Sequence, residues 1–169
     1  MLSDKHRHRV NPIRPTLYEM SINPVRTHSV LVVDDEAPIR QILMRWLAPA
    51  GYETREAGDA DAALEALATS PADVVVCDVQ MPGHDGLWLV AQMRERFPDV
   101  AVVLATANNT VAPATSMQPA IVEYLVKPLT REPVLSAVRR GVEWRRAVVA
   151  RGRGRTGDAL NDWLNGPKK

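Results

Sequence analysis

The sequence predicts a doubly wound α/β fold: a five-stranded parallel sheet with helices on both faces. Three observations predict it. Short apolar runs alternate with stretches of helical spacing from residue 29 onward, and strands alternating with helices imply parallel crossover units. The runs are almost continuously apolar, as expected of strands covered on both sides. Several of them end in a polar residue able to do chemistry, and in such sheets ligands sit outside the carboxyl ends of the strands.

The elements follow in order. Ser29–Val33 is apolar and ends at Asp34. Ile39, Ile42, Leu43, Trp46 and Leu47 recur at helical spacing, and Gly51 stops that helix. Tyr52–Glu56 is a short strand candidate, followed by the helical stripe Ala60, Ala63, Leu64 and Leu67. Val74–Cys77 is β-branched and leads to Asp78. Leu87, Val90, Met93 and Phe97 mark a third helix, closed by Pro98. Val100–Ala105 is a strand ending at Thr106, and Ile121–Val126 a strand ending at Lys127. Val134, Leu135, Val138 and Val142 begin a last helix.

Bulk properties narrow the function classes. At 169 residues the chain suits one domain with tails. No apolar stretch approaches the roughly 20 residues of a membrane span, and the basic, polar start lacks the apolar core of a signal peptide. A cytoplasmic protein is expected. Cys77 is the only cysteine, so no internal disulfide forms. Its expected role is that of a small buried hydrophobe rather than a redox sensor.

Charge is unevenly spread. Residues 1–28 carry five Lys/Arg and two Asp/Glu, a net of +3; residues 29–130 carry six and fourteen, a net of −8; residues 131–169 carry ten and four, a net of +6. Three regions are therefore expected: a flexible basic leader over 1–28, a domain over 29–150 and a basic tail over 151–169. Met1 and Met20 are both admissible starts.

Parallel strands would bring Asp34, Asp35, Asp78, Thr106 and Lys127 to one rim. Crowded carboxylates call for a cation, and an all-oxygen donor set favours a hard ion such as Mg²⁺. Mg²⁺ in turn favours a phosphoryl group, which a carboxylate can accept as an aspartyl-phosphate. A lysine and a hydroxyl would neutralise charge on the phosphoryl oxygens. No Walker-type loop is present.

The segments VLVVDDE, VVVCDVQMPGHDG, VVLATA and YLVKP, in this order over about residues 29–150, resemble the motifs of bacterial response-regulator receiver domains. The resemblance implies the flavodoxin-like strand order 2-1-3-4-5. It implies Asp78 as phosphoacceptor, Asp35 as direct Mg²⁺ ligand supported by Asp34, and a Gln80 carbonyl to the metal. It also implies Thr106 as switch hydroxyl, Lys127 as the lysine paired with the phosphoryl group, Tyr124 as switch aromatic, and a cis peptide at Lys127-Pro128. Gly86 is expected to permit a tight backbone after the acceptor. The blander readings are helix capping by Asp34 or Asp35, a turn role for Thr106, core filling by Tyr124 and a solvated His84.

The stretch between Thr106 and Tyr124 departs from the family pattern. Pro113 and Pro119 stand where a fourth helix belongs, and proline inside a helix costs about 3 kcal/mol. A short helix between them is expected, with Asn108, Asn109 and Thr110 as a turn or cap. After the last strand, Arg139, Arg140, Arg145 and Arg146 surround Trp144 as a solvated basic face. Arg151–Arg155 reads as flexible, and Asp158–Leu164 as a further turn or two of helix.

As partners, the resemblance implies a sensor histidine kinase or histidine phosphotransfer protein, an unidentified downstream protein, and a homodimer as one arrangement. A stand-alone receiver or relay member is the leading expectation, with signalling rather than turnover as its output. The alternatives are a nucleic-acid-binding regulator using the basic tail, a phosphate-independent adaptor, and a fragment of a longer regulator. No nucleic-acid reader motif is visible.

Overall fold

In a computed structural model the described residues are 27–107 and 120–152. The strands are β1 (Ser29–Val33), β2 (Glu53–Ala57), β3 (Val74–Asp78), β4 (Ala101–Thr106) and β5 (Ile121–Val126). The described helices are α1 (Ala37–Leu47), α2 (Ala60–Thr69), α3 (Gly86–Arg96) and α4 (Arg131–Gly152), with a short 3-10 helix over Ala48–Ala50. The five strands form one parallel sheet in the order β2-β1-β3-β4-β5. The expected fold and strand order are therefore both present.

Each face of the sheet buries its own cluster. Leu31, Val33, Val75, Cys77, Val102 and Leu104 pack against Ala63, Leu67, Leu89 and Met93 of α2 and α3. Val30, Val32, Val74, Val76, Ala101 and Val103 pack against Leu43, Leu47, Val134 and Val138 of α1 and α4. Alternate residues of one strand thus face opposite cores, which is why the strands read as unbroken apolar runs. Gly141 lets α4 settle close to the sheet, since a Cβ there would lie 2.9 Å from Val74 Cγ2.

Local chemistry sets the ends of the helices. Asp59 caps α2 by accepting from the Ala62 N–H, and Asp85 caps α3 by accepting from the Trp88 N–H, each at 2.7 Å. Pro38 sits in the first turn of α1, where no intrahelical N–H bond is lost. Gly51 adopts φ 92°, a left-handed conformation that reverses the chain into β2.

Several boundaries differ from the sequence expectation. β2 starts one residue late, at Glu53, because Tyr52 N is bonded to the Leu47 carbonyl and so belongs to the helix exit. α4 runs through Gly152, beyond the expected domain edge at 150 and into the stretch expected to be flexible. The expected helix between Pro113 and Pro119, its cap at Asn108–Thr110, the helix over Asp158–Leu164 and most of the leader and tail lie outside the described residues. His28, assigned to the leader, belongs to the folded body: its carbonyl accepts from Glu53 N at 2.9 Å.

The arginines of α4 are not simply a solvated face. Arg145 is largely buried and pairs with Asp73, while Arg140 pairs with Glu123 of β5. Asp73 is itself buried at the start of β3 and accepts from Ser29 N at 2.8 Å. His28 completes this clasp, with Nδ1 3.3 Å from Asp73 Oδ2 and Nε2 2.7 Å from Arg146 Nη2. A guanidinium can only donate. His28 Nε2 must therefore accept, leaving the proton on Nδ1 to be donated to Asp73. Ring ¹⁵N shifts in solution should accordingly report the Nδ1–H tautomer; an Nε2–H ring would contradict the clasp.

Candidate functional site

The sheet order places the ends of β1, β3, β4 and β5 side by side. Backbone bonds continue the ladder past the strands: Val79 N donates to the Ala105 carbonyl and Lys127 N to the Thr106 carbonyl, each at 2.8 Å. This fixes the polar residues at the carboxyl end of each strand, Asp78 and Thr106 within β3 and β4 and Asp34 and Lys127 just after β1 and β5. Asp34, Asp78 and Thr106 are all buried, a costly arrangement for acids unless they are bonded.

They are bonded. Lys127 Nζ lies 3.1 Å from Asp34 Oδ2 and 2.9 Å from Asp78 Oδ2. The other oxygens accept from backbone: Asp34 Oδ1 from Glu36 N at 2.9 Å and Asp78 Oδ1 from Gln80 N at 3.2 Å. Asp34, Asp35 and Asp78 each offer a carboxylate oxygen within 4.8 Å of the others. Asp35 is exposed, so its carboxylate has access to solvent. Neither member of the acidic pair caps α1: the N-cap is Glu36, and it makes no side-chain cap bond.

Burial works against the charge on Lys127. Hydrogen bonds to Asp78 and then Asp34, reinforced by their negative charges, outweigh it and hold the ammonium above its ordinary pKa. The cluster of three carboxylates and one ammonium is thus a strongly anionic pocket with only hard oxygen donors. That donor set fits a divalent cation such as Mg²⁺ and offers no soft ligand to a thiophilic metal.

Cys77 stands directly before Asp78, and its thiol donates to the Asp78 carbonyl at 3.0 Å. It is fully buried, and burial, followed by the charges of Asp78 and Asp34, pushes its thiol pKa far up. Tyr124 is half-buried and packs against the cluster under α2 and α3, opposite Leu104 in the ladder. It therefore has both a core contact and an exposed part. Gln80 is exposed in the loop after Asp78. The Lys127-Pro128 peptide is cis, as the resemblance implies. His84 is not a plain solvated loop residue: its ring stacks on Trp88 with centroids 3.6 Å apart and contacts Asp61 at 3.3 Å.

Two glycines shape the loop after Asp78 in different ways. Gly83 has φ 76° with open space around it. Gly86 has no positive φ, yet a Cβ there would lie 2.2 Å from the Asp78 carbonyl oxygen. Close approach, rather than backbone freedom, is what requires glycine at 86. Gly86→Ala should cost about 3 kcal/mol through forced movement of the Asp78 backbone. Gly83→Ala should cost about 1 kcal/mol through backbone strain alone. Urea midpoints of the two variants check this, and equal values would contradict it.

Sequence reasoning missed two groups beside the site. Arg40 donates from Nη1 to the Asp34 carbonyl at 2.7 Å and from Nε to Glu56 Oε2 at 3.0 Å. The two side chains come from α1 and β2, and only the sheet order brings them together.

The comparisons with known proteins agree with this geometry. The family described as the response regulator receiver domain matches residues 30–139. The DNA-binding transcriptional regulator NtrC of Escherichia coli K12 is 38% identical over 114 residues, covering 67% of this chain and 24% of that protein. Response regulator MprA of Mycolicibacterium vanbaalenii is 36% identical over 117 residues, covering 69% and 49%. The chain thus spans a quarter to a half of the length of these relatives. Among solved structures, response regulator protein TrrA from Thermotoga maritima, in complex with Mg²⁺-BeF, is similar with a TM-score of 0.63 and 31% identity over 68% of this chain and 99% of that one. Chemotaxis response regulator CheY4 of Vibrio cholerae gives 0.61 and 29% over 68% and 98%. An acidic rim with a bridging lysine on a 2-1-3-4-5 sheet, together with a family match over most of the described residues, makes this chain a member of the response regulator receiver domain family.

Proposed function

We propose that Asp78 is the phosphoacceptor of a two-component signalling protein, taking its phosphoryl group from a histidine kinase or a histidine phosphotransfer protein. The observation that carries this is the position of the Asp78 carboxylate. It is buried, within 4.8 Å of two further acids, and bonded to Lys127 at 2.9 Å. A carboxylate oxygen of Asp78 attacks phosphorus in line, the P–O bond forms, and the P–N bond of a phosphohistidine donor breaks. Lys127 neutralises charge on the transferred group and the Thr106 hydroxyl contacts it.

Asp34, Asp35, Asp78 and the Gln80 carbonyl would hold Mg²⁺, which when bound neutralises phosphoryl oxygens. The Mg²⁺-BeF complex of the Thermotoga relative supports this choice of ion. Thr106 and Tyr124 then bias a two-state surface that a downstream protein reads. A receiver body that takes in His28 and runs through Gly152, with basic flanks, a cytoplasmic setting and signalling rather than turnover complete the proposal. No helix among the described residues is long and apolar enough to cross a membrane.

Arg140 and Arg145 of α4 pair with Glu123 and Asp73, whereas the nucleic-acid alternative rests on the basic tail over 151–169, most of which lies outside the described residues. The test is incubation of the full chain with acetyl phosphate, read by intact mass. A gain of one phosphoryl group with Mg²⁺, absent in EDTA, is expected. No gain in either condition, with a cognate kinase also supplied, would favour the adaptor reading.

A further inference from the structure

Arg40 lies on α1 beside the acidic pair. Its guanidinium meets two consecutive carbonyls, those of Asp34 at 2.7 Å and Asp35 at 3.3 Å, through a single nitrogen, Nη1. Its Nε is held by Glu56 Oε2 at 3.0 Å, and its side chain is only 15% exposed. The β1–α1 turn therefore has its carbonyls gathered on a fixed cation whose other side is anchored on β2. The turn needs such support, because α1 begins without a side-chain cap and the two carboxylates it carries repel each other. Backbone position in this turn decides where both carboxylates project. A planar, permanently charged fork suits the task, since it can serve carbonyls and a carboxylate together.

We infer that Arg40, braced by Glu56, is a positioning residue that fixes the Asp34-Asp35 backbone so that both carboxylates converge on Asp78 to bind a divalent cation. It rests on the metal reading of the site given above. Groups that orient metal ligands typically contribute about 10–100-fold to affinity.

The experiment titrates Mg²⁺ alone into the full chain by calorimetry, without phosphodonor, and measures urea midpoints in EDTA beside it. Arg40→Met is expected to weaken Mg²⁺ binding about tenfold or more. Arg40→Lys should recover only part of this, because one ammonium cannot reach both carbonyls and Glu56. Glu56→Gln, which retains Arg40 but removes the charged brace, should shift affinity in the same direction by less. A residue with a merely structural role would lower the urea midpoint and leave Mg²⁺ affinity unchanged, and that result for Arg40→Met overturns the inference. Should Arg40→Met fail to fold, Glu56→Gln decides, with unchanged affinity overturning the inference. Absence of Mg²⁺ binding by the wild type would instead overturn the metal reading itself.

Discussion

Asp78→Asn should abolish phosphorylation completely while leaving the fold intact and at least as stable. The amide is nearly isosteric; its single oxygen can replace Oδ1 as acceptor from Gln80 N, while the bond that Lys127 donates to Oδ2 is given up. It has no nucleophilic oxygen, so no acyl phosphate forms. Stability should not fall, because the wild-type cluster sets three carboxylates against one ammonium within a few ångströms. Removing one negative charge relieves repulsion in a poorly solvated place, and that relief offsets the lost bond to Lys127, which keeps Asp34 as its partner. Intact mass after acetyl phosphate treatment and a thermal melt in EDTA check both halves. Residual labelling would place the acceptor elsewhere, and a clear drop in Tm would show that the Asp78–Lys127 pair outweighs the repulsion.

Lys127→Met should slow phosphorylation by about 100-fold, the scale on which a preorganised donor to developing charge contributes. The same variant should still bind Mg²⁺, since all three carboxylates remain and a competing cation has gone. In EDTA its stability should fall, because Asp34 and Asp78 are left buried without their shared cation. Added Mg²⁺ should restore more stability to the variant than to the wild type. The pH dependence follows from the raised pKa of Lys127. Its contribution is fully present below the ordinary lysine value and is lost as pH rises through the raised folded value. The stability gap between wild type and variant should therefore persist through neutral pH and close only in the alkaline range. A gap that closes near neutrality would contradict the charge assignment.

Much of the fold was legible because its signal is local. Apolar runs buried on both faces and glycine and proline stops act within a few residues. The rim residues were legible because they stand at strand ends, and parallel topology places those ends together. What escaped was non-local. Arg40 finds Glu56 only through the neighbouring of β1 and β2, and the clasp of His28, Asp73 and Arg145–Arg146 joins the residue before β1 to the far end of α4. Charge counting alone made the α4 arginines a solvated face, although Asp73 is buried beneath them. Gly86 was expected to permit a tight backbone, but what requires glycine there, a carbonyl 2.2 Å from where a Cβ would stand, is visible only in three dimensions.

The most direct test of the central claim locates the phosphoryl group chemically. Protein phosphorylated with acetyl phosphate and Mg²⁺ is reduced with borohydride, which converts an aspartyl-phosphate to homoserine, and the digest is sequenced by mass spectrometry. Homoserine at position 78 and at no other aspartate is the expected result. Homoserine at Asp34 or Asp35, or its absence from a protein that had gained a phosphoryl group, would contradict Asp78 as the acceptor.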